Sequence, residues 1–258
     1  MSKLNIAVCF FGLTRSLKYT IDSIEENIMN VLSENNIKCT KYIHTYDLEI
    51  LTNRRSGENK CHLDLDEYKL LNCDHISITN QQDFLKSINF NIYKKGGDPW
   101  KDNFVSLRNL LCQLNSLMTV TRLWEKNNEN DKYDLVLYIR PDLLYNKLCI
   151  DDIMMSFNEK CLLTPSFHLM GGFNDRIAMG PPNLILPYGL RFQYAEEYVN
   201  NKNALHAERF LKNTITKYEI KHKPVWKLIG KRVRANGIIG NLDVKLFQPF
   251  HQKVPKKR

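Results

Sequence analysis

The stretch YDLVLYIRPDLLYNK, residues 133–147, is an apolar run that closes on Arg140, Pro141 and Asp142. A carboxylate next to a guanidinium at the end of a strand can hold a divalent cation together with the diphosphate it neutralises. Hard cations take oxygen ligands, and Mg2+ or Mn2+ often completes its shell with phosphate. On that reading Asp142 is the metal ligand and Arg140 a phosphate clamp; a structural ion pair at the strand end is the alternative.

Three other groups carry chemistry. After the apolar run at the start comes FFGLTRS, in which Gly12 lets backbone approach a ligand, and Thr14 and Arg15 offer a hydroxyl and a guanidinium. The helix that follows supplies free N–H groups suited to phosphate. Neither G-x-G-x-x-G nor G-K-[ST] spacing is present, so this is no dinucleotide or P-loop fingerprint. GGFNDRIAMGPP gathers Asn174, Asp175 and Arg176 behind a Gly171-Gly172 pair that reads as flexible, either as three groups aimed into one cleft or as a β-turn. NALHAERFL puts Glu208 early in a predicted helix beside His206, where a carboxylate also favours the helix dipole.

These groups need a frame. LNIAVCFF, residues 4–11, reads as a strand buried on both faces of a parallel sheet. Leu17, Ile21, Ile24, Ile28, Val31 and Leu32 then recur at helical spacing, and CTKYIHTY gives a second strand. Residues 52–66 show no period and read as a weakly structured loop. HISITNQQDFLKSI is a strand running into a helix, and YKKGGDPWKDN is a loop, either a lid or a plain connection. The longest helix is expected over residues 105–125 and the clearest strand in YDLVLYI. Short strands and turns follow residue 160, with helices around 183–198 and 205–217. The alternation predicts an α/β fold with a mainly parallel central sheet. Ligands of such sheets bind beyond the carboxyl ends of the strands, where the groups above fall.

With 258 residues and 43% apolar content, the chain is expected to form a single domain with a substantial core. No apolar run approaches a membrane span, and IAVCFFGL lacks the cleavage site of a signal peptide, so a soluble protein is expected. Seven cysteines without a C-x-x-C pair read as reduced thiols of a cytoplasmic protein. The net charge of +9 suits a polyanionic partner, phosphate-bearing small molecules as well as nucleic acid. Much of that excess lies in KYEIKHKPVWKLIGKRVRANG and the tail KVPKKR, where a solvated face and a frayed end are the plain alternatives. A nucleic-acid-binding domain would use this segment, but no zinc knuckle, RNP signature or aromatic and basic repeat supports it.

The order NIAVCFFGLTRSL, YIHTY, LRNLLCQLNSLMTVTRLWE, YDLVLYIRPDLLY, NDRIAMG, HAERFL resembles GT-A-like sugar transferases of the kind found in large DNA viruses and algae, over roughly residues 4–218. The resemblance implies a single GT-A-like, Rossmann-like domain over 1–258. It would comprise a nucleotide-binding half of about 1–150, an acceptor or catalytic half of about 151–240, and a basic tail, 241–258. It implies a nucleotide diphosphate sugar as donor, a glycan or other hydroxyl as acceptor, and Mn2+ or Mg2+ at an Asp-x-Asp motif. Here that motif reads Arg-Pro-Asp and retains only the second carboxylate, so Arg140 can replace part of the cation's charge. Phe11, Gly12, Thr14 and Arg15 would lie near the nucleotide and Asp142 near its diphosphate, with Arg140, Asn174 and Arg176 also on the donor. An inverting transfer needs a base for the acceptor hydroxyl. Asp175 would orient the sugar and Glu208 would be that base. A catalytically inactive nucleotide-sugar binder would share all but the last step. If the chain is viral, the compartment implied is the host cytoplasm. Donor base, sugar, acceptor, stereochemical outcome and oligomeric state are not legible.

Overall fold

The computed structural model describes residues 3–128 and 132–246, so most of the basic tail lies outside the described residues. In chain order the elements are β1 (Asn5–Phe11), α1 (Leu17–Ile24), α2 (Asn30–Glu34), β2 (Lys38–Asp47), β3 (Ile50–Asn53), β4 (Glu58–His62), β5 (His75–Asn80), α3 (Gln81–Ser87), α4 (Phe90–Lys94), α5 (Val105–Lys126), β6 (Leu135–Ile139) and β7 (Leu143–Tyr145). There follow α6 (Ile150–Glu159), β8 (Leu162–Pro165), β9 (Ala178–Gly180), α7 (Pro182–Leu190), α8 (Ala195–Asn200), α9 (Ala207–Lys217), β10 (His222–Val225), β11 (Gly230–Arg232) and α10 (Asn241–Leu246). A π-helical turn over Glu25–Met29 joins α1 to α2, so the expected first helix is continuous.

The central sheet has the order β10-β8-β9-β6-β1-β2-β5. β1 pairs parallel with both β2 and β6, β2 with β5, and β8 with β10, whereas β9 runs antiparallel to β6 and β8. This is the mainly parallel α/β sheet that the alternating pattern predicts. After β1 the chain steps outward through β2 to β5, then crosses back to place β6 on the other side of β1. The carboxyl ends of β1 and β6 therefore diverge into a crevice at the switch point.

Strand alternation explains the burial. Ile6, Val8 and Phe10 of β1 face the layer of α1 and α6, together with Leu135, Leu137 and Ile139 of β6. Ala7, Cys9 and Phe11 face the other layer, with Val136, Tyr138, and Leu117 and Trp124 of α5. All of these are almost fully buried, as a strand covered on both faces requires.

One expectation fails. Residues 52–66 are not a weakly structured loop. β3 and β4 form an antiparallel hairpin, and its polar outer positions hid the strand period. The basic segment after residue 220, read as either a binding surface or a solvated face, is divided: the side chains of Lys221 and Lys223 stay exposed, and two stretches of it are drawn into strands. β10 joins the sheet edge, and β11 pairs antiparallel with β7, setting Arg232 opposite Leu143. The seven cysteines are all free thiols, with Cys9, Cys112 and Cys161 buried. Among the described residues no helix is long and apolar enough to cross a membrane.

Candidate functional site

A cleft of about 940 Å3 opens over the crossover, lined among others by Gly12, Arg15, Arg140, Asp175, Arg176 and Glu208. The sequence reading thus brings six of its ten candidates to one place. Phe11 is elsewhere: its ring is buried edge-on to Tyr138, with centroids 6.4 Å apart. Thr14 is buried behind the turn, where its carbonyl accepts the Leu17 N–H. Asn174 braces its own loop, donating to the Phe167 carbonyl and accepting the Arg176 N–H. Asp142 lies beneath the floor, 1% exposed.

The turn after β1 is held from below. Gly12 has φ +100, a left-handed conformation that a side chain would strain. Its N–H donates to Ser116 Oγ of α5 at 2.8 Å. Ser116 donates in turn to the His44 carbonyl, so the His44 ring gives Nδ1–H to Ser116 and accepts from Thr79 at Nε2, both at 2.8 Å. That tautomer is neutral, and burial pulls the imidazole down to about 4.

The strand-end motif is a locked set of charges. Arg140 donates Nε to Asp142 Oδ1 at 2.8 Å and Nη2 to Oδ2 at 2.9 Å, a bidentate fork, and its Nη1 donates to Gln113. Arg15 Nη2 reaches the same Oδ2 at 2.8 Å, and its Nη1 meets Glu58 Oε2 at 3.1 Å. Burial alone would raise the Asp142 carboxyl, yet Arg140 and Arg15 hold it well below the usual carboxylate range. Glu58, fully buried at the start of β4, also accepts from Ser56 and from the Ala235 N–H. The hairpin that had no sequence signal thus supplies the second counter-charge.

Two cleft arginines were missed outright. β11 hydrogen bonds alongside β7, and the Val233 N–H donates to the Asp142 carbonyl, which carries Arg232 and Arg234 to the cleft. Arg176 Nη1 pairs with Asp243 Oδ1 at 2.8 Å, but among the described residues the Arg232 guanidinium makes no hydrogen bond and its Nε is a buried donor without a partner. Arg234 comes no closer to Glu58 than 3.9 Å. Burial and the like charges of Arg176, Arg234 and Arg140 push the Arg232 guanidinium below its usual range. Guanidinium stays protonated regardless, so the shift registers as positive charge lacking an anion. The alternation in GKRVRAN put both arginines on one side of an extended segment. That was the available signal.

A second group of cleft residues is carboxylate and imidazole. Glu208, in the first turn of α9, sits 3.1 Å from His206 Nδ1. Trp100 stacks on His206 at 5.0 Å and 20°. The loop carrying Trp100 is braced by Asp98, which accepts the N–H groups of Trp100, Asp102 and Phe104. Gly172 is no hinge. A Cβ there would lie 1.8 Å from the Glu208 carbonyl, so the glycine permits loop and helix to touch, sealed by the Phe173 N–H donating to that carbonyl. Asp175 Oδ2 accepts from Gln113 at 2.6 Å and lies 3.8 Å from Arg191.

The residues present do not fit a divalent cation. Both Asp142 oxygens already accept from guanidiniums at 2.8–2.9 Å. Asp243 likewise accepts from Arg176 at Oδ1 and from the Arg232 N–H at Oδ2. Among the described residues no three His, Cys, Asp or Glu side chains converge as metal ligands would.

No protein-family description and no curated protein matches the sequence. Solved structures with related chain paths include mouse xyloside xylosyltransferase 1 in its apo form, 7% identical over 86% of this chain and 85% of that one, TM-score 0.42. Core-mannan synthase A of Aspergillus fumigatus in its Mn/GDP form is 9% identical over 83% and 70%, TM-score 0.44. The galactosyltransferase LgtC with donor and acceptor sugar analogues is 14% identical over 85% and 73%, TM-score 0.42. Likenesses this distant say nothing of substrate or mechanism.

Proposed function

We propose that the protein is a glycosyltransferase that moves a sugar from a nucleotide diphosphate sugar to a glycan or other hydroxyl acceptor, as one catalytic domain. The observation that carries this reading is the cleft itself. At the carboxyl ends of β1 and β6 it joins a cluster of guanidiniums to a separate carboxylate and imidazole group, within a volume that suits a nucleotide sugar. An inverting transfer needs both services: charge stabilisation for the departing nucleoside diphosphate and a base for the acceptor hydroxyl.

On this reading the Gly12 turn lets backbone approach the donor, and Arg15, Arg140 and Arg176 belong to its diphosphate side. Asp175, fixed by Gln113, orients the sugar. Glu208 takes the acceptor proton as the hydroxyl oxygen attacks the anomeric carbon. The electron pair of the broken C–O bond passes to the diphosphate. His206, held under Trp100, positions the carboxylate. The donor base, the sugar and the acceptor are left to experiment.

Division of the basic segment disfavours nucleic-acid binding. Arg232 and Arg234 line the cleft while Lys221 and Lys223 pair with Glu159 at the sheet edge, whereas a surface that tracks a phosphate backbone presents its cations together. A thermal-shift screen of uridine and guanosine diphosphate sugars tests the proposal: one donor raises the melting temperature, as a ligand selective for the native state must. Absence of a shift with every donor contradicts it, and a shift without donor hydrolysis or transfer indicates an inactive binder.

A further inference from the structure

Resting on the transferase reading, we infer that the donor diphosphate is neutralised by the guanidiniums of Arg232 and Arg234, and that binding requires no divalent cation at Asp142. A cation held there would have to displace two guanidiniums from a carboxylate that is 1% exposed, leaving Arg15 and Arg140 without that counter-charge. Mg2+ and Mn2+ would also need further oxygen ligands, and the neighbouring carboxylates Glu58 and Asp243 already accept from arginines and main-chain N–H groups.

The charge that a cation would bring is present in the chain. Asp142, Glu58 and Asp243 are the acids that balance Arg15, Arg140 and Arg176, through ion pairs of 2.8–3.1 Å. Among the described residues Arg232 and Arg234 lack such pairs, yet they line the same cleft, and the Arg232 Nε is a buried donor without an acceptor. A diphosphate supplies both missing items, negative charge and several strong acceptor oxygens in a geometry a guanidinium fork matches. The Arg-Pro-Asp motif is then a pedestal. Asp142 orders Arg15 and Arg140, and its main-chain carbonyl holds Val233, which sets Arg232 and Arg234 on either side.

Among the described residues the Arg232 guanidinium stands against the like charges of Arg176, Arg234 and Arg140 without a hydrogen-bonded partner, so its neutralisation should not destabilise the apo fold. Loss of binding in an Arg232 variant is thereby separable from loss of structure.

The experiment is a thermal-shift titration of the full chain with UDP and with GDP, each in EDTA and each with Mn2+. The expected result is a shift of equal size in EDTA and in Mn2+, with dissociation constants raised about tenfold or more in the Arg232→Gln, Arg234→Gln double variant. The melting temperature of that variant without nucleotide should match or exceed that of the parent. A shift that appears only with Mn2+, or one that survives in full in the double variant, overturns the inference while leaving a nucleotide site in place. No shift with either nucleotide or with any nucleotide sugar, in any condition, defeats the transferase reading and this inference with it.

Discussion

Arg140 and Asp142 form a closed fork two residues apart, Nε to Oδ1 at 2.8 Å and Nη2 to Oδ2 at 2.9 Å, with Pro141 between them. Arg15 closes the same carboxylate from the other side at 2.8 Å. Removing the charge of Asp142 leaves two largely buried guanidiniums facing each other. Asp142→Asn is therefore expected to lose roughly 3–5 kcal/mol in urea unfolding, the cost of breaking a buried ion pair. A loss below about 1 kcal/mol, the value of an exposed pair, would show the carboxylate to be dispensable to the fold.

The same charges set the acid limb of stability. The Asp142 carboxyl is depressed in the folded protein, so its contribution is full above the ordinary carboxylate value of about 3.9 and is lost as pH falls below it. His44 acts at higher pH. Its imidazole is lowered to about 4 from 6.5, so the unfolded chain binds the proton first and stability falls as pH drops between those values, by up to roughly 1.4 kcal/mol per unit. His222, lowered by burial to about 4, adds in the same direction. Urea midpoints measured from pH 7 to pH 4 should decline, and His44→Gln should flatten part of that slope. An unchanged slope in the variant would rule out His44 as the titrating group.

Gly172 offers a way to move Glu208 without touching its charge. An alanine methyl would overlap the Glu208 carbonyl, so Gly172→Ala must push the first turn of α9 away from the loop. Transfer should fall by about a hundredfold, as for a misplaced catalytic group, while the nucleotide-induced thermal shift persists. Full transfer activity in this variant would detach Glu208 from the chemistry.

Much of the frame was legible because its signals are local. The β1 run is continuously apolar since both faces are covered, and α5 shows its buried stripe in Leu107, Leu110, Leu111, Leu114 and Leu117. The β3 and β4 hairpin was not legible, because few of its side chains are buried and its period is hidden. Its one decisive residue, Glu58, is recognisable only from the partners the fold brings to it, Arg15 and Ala235. Arg232 and Arg234 were hidden in the same way: a basic segment looks the same whether it faces water or a cleft until its pairing with β7 is known. Phe11 shows the converse limit. One position before the Gly12 turn, strand parity sends its ring to the core and the Gly12 backbone to the cleft.

Sugar transfer frees a nucleoside diphosphate, and that release is the decisive readout. Purified protein is incubated with each nucleotide sugar, alone and with an array of glycan acceptors, and free UDP or GDP is quantified. Release above the spontaneous rate is expected from one donor, stimulated by an acceptor and reduced about a hundredfold or more in Glu208→Gln. Release from no donor, or undiminished release in Glu208→Gln, would contradict it.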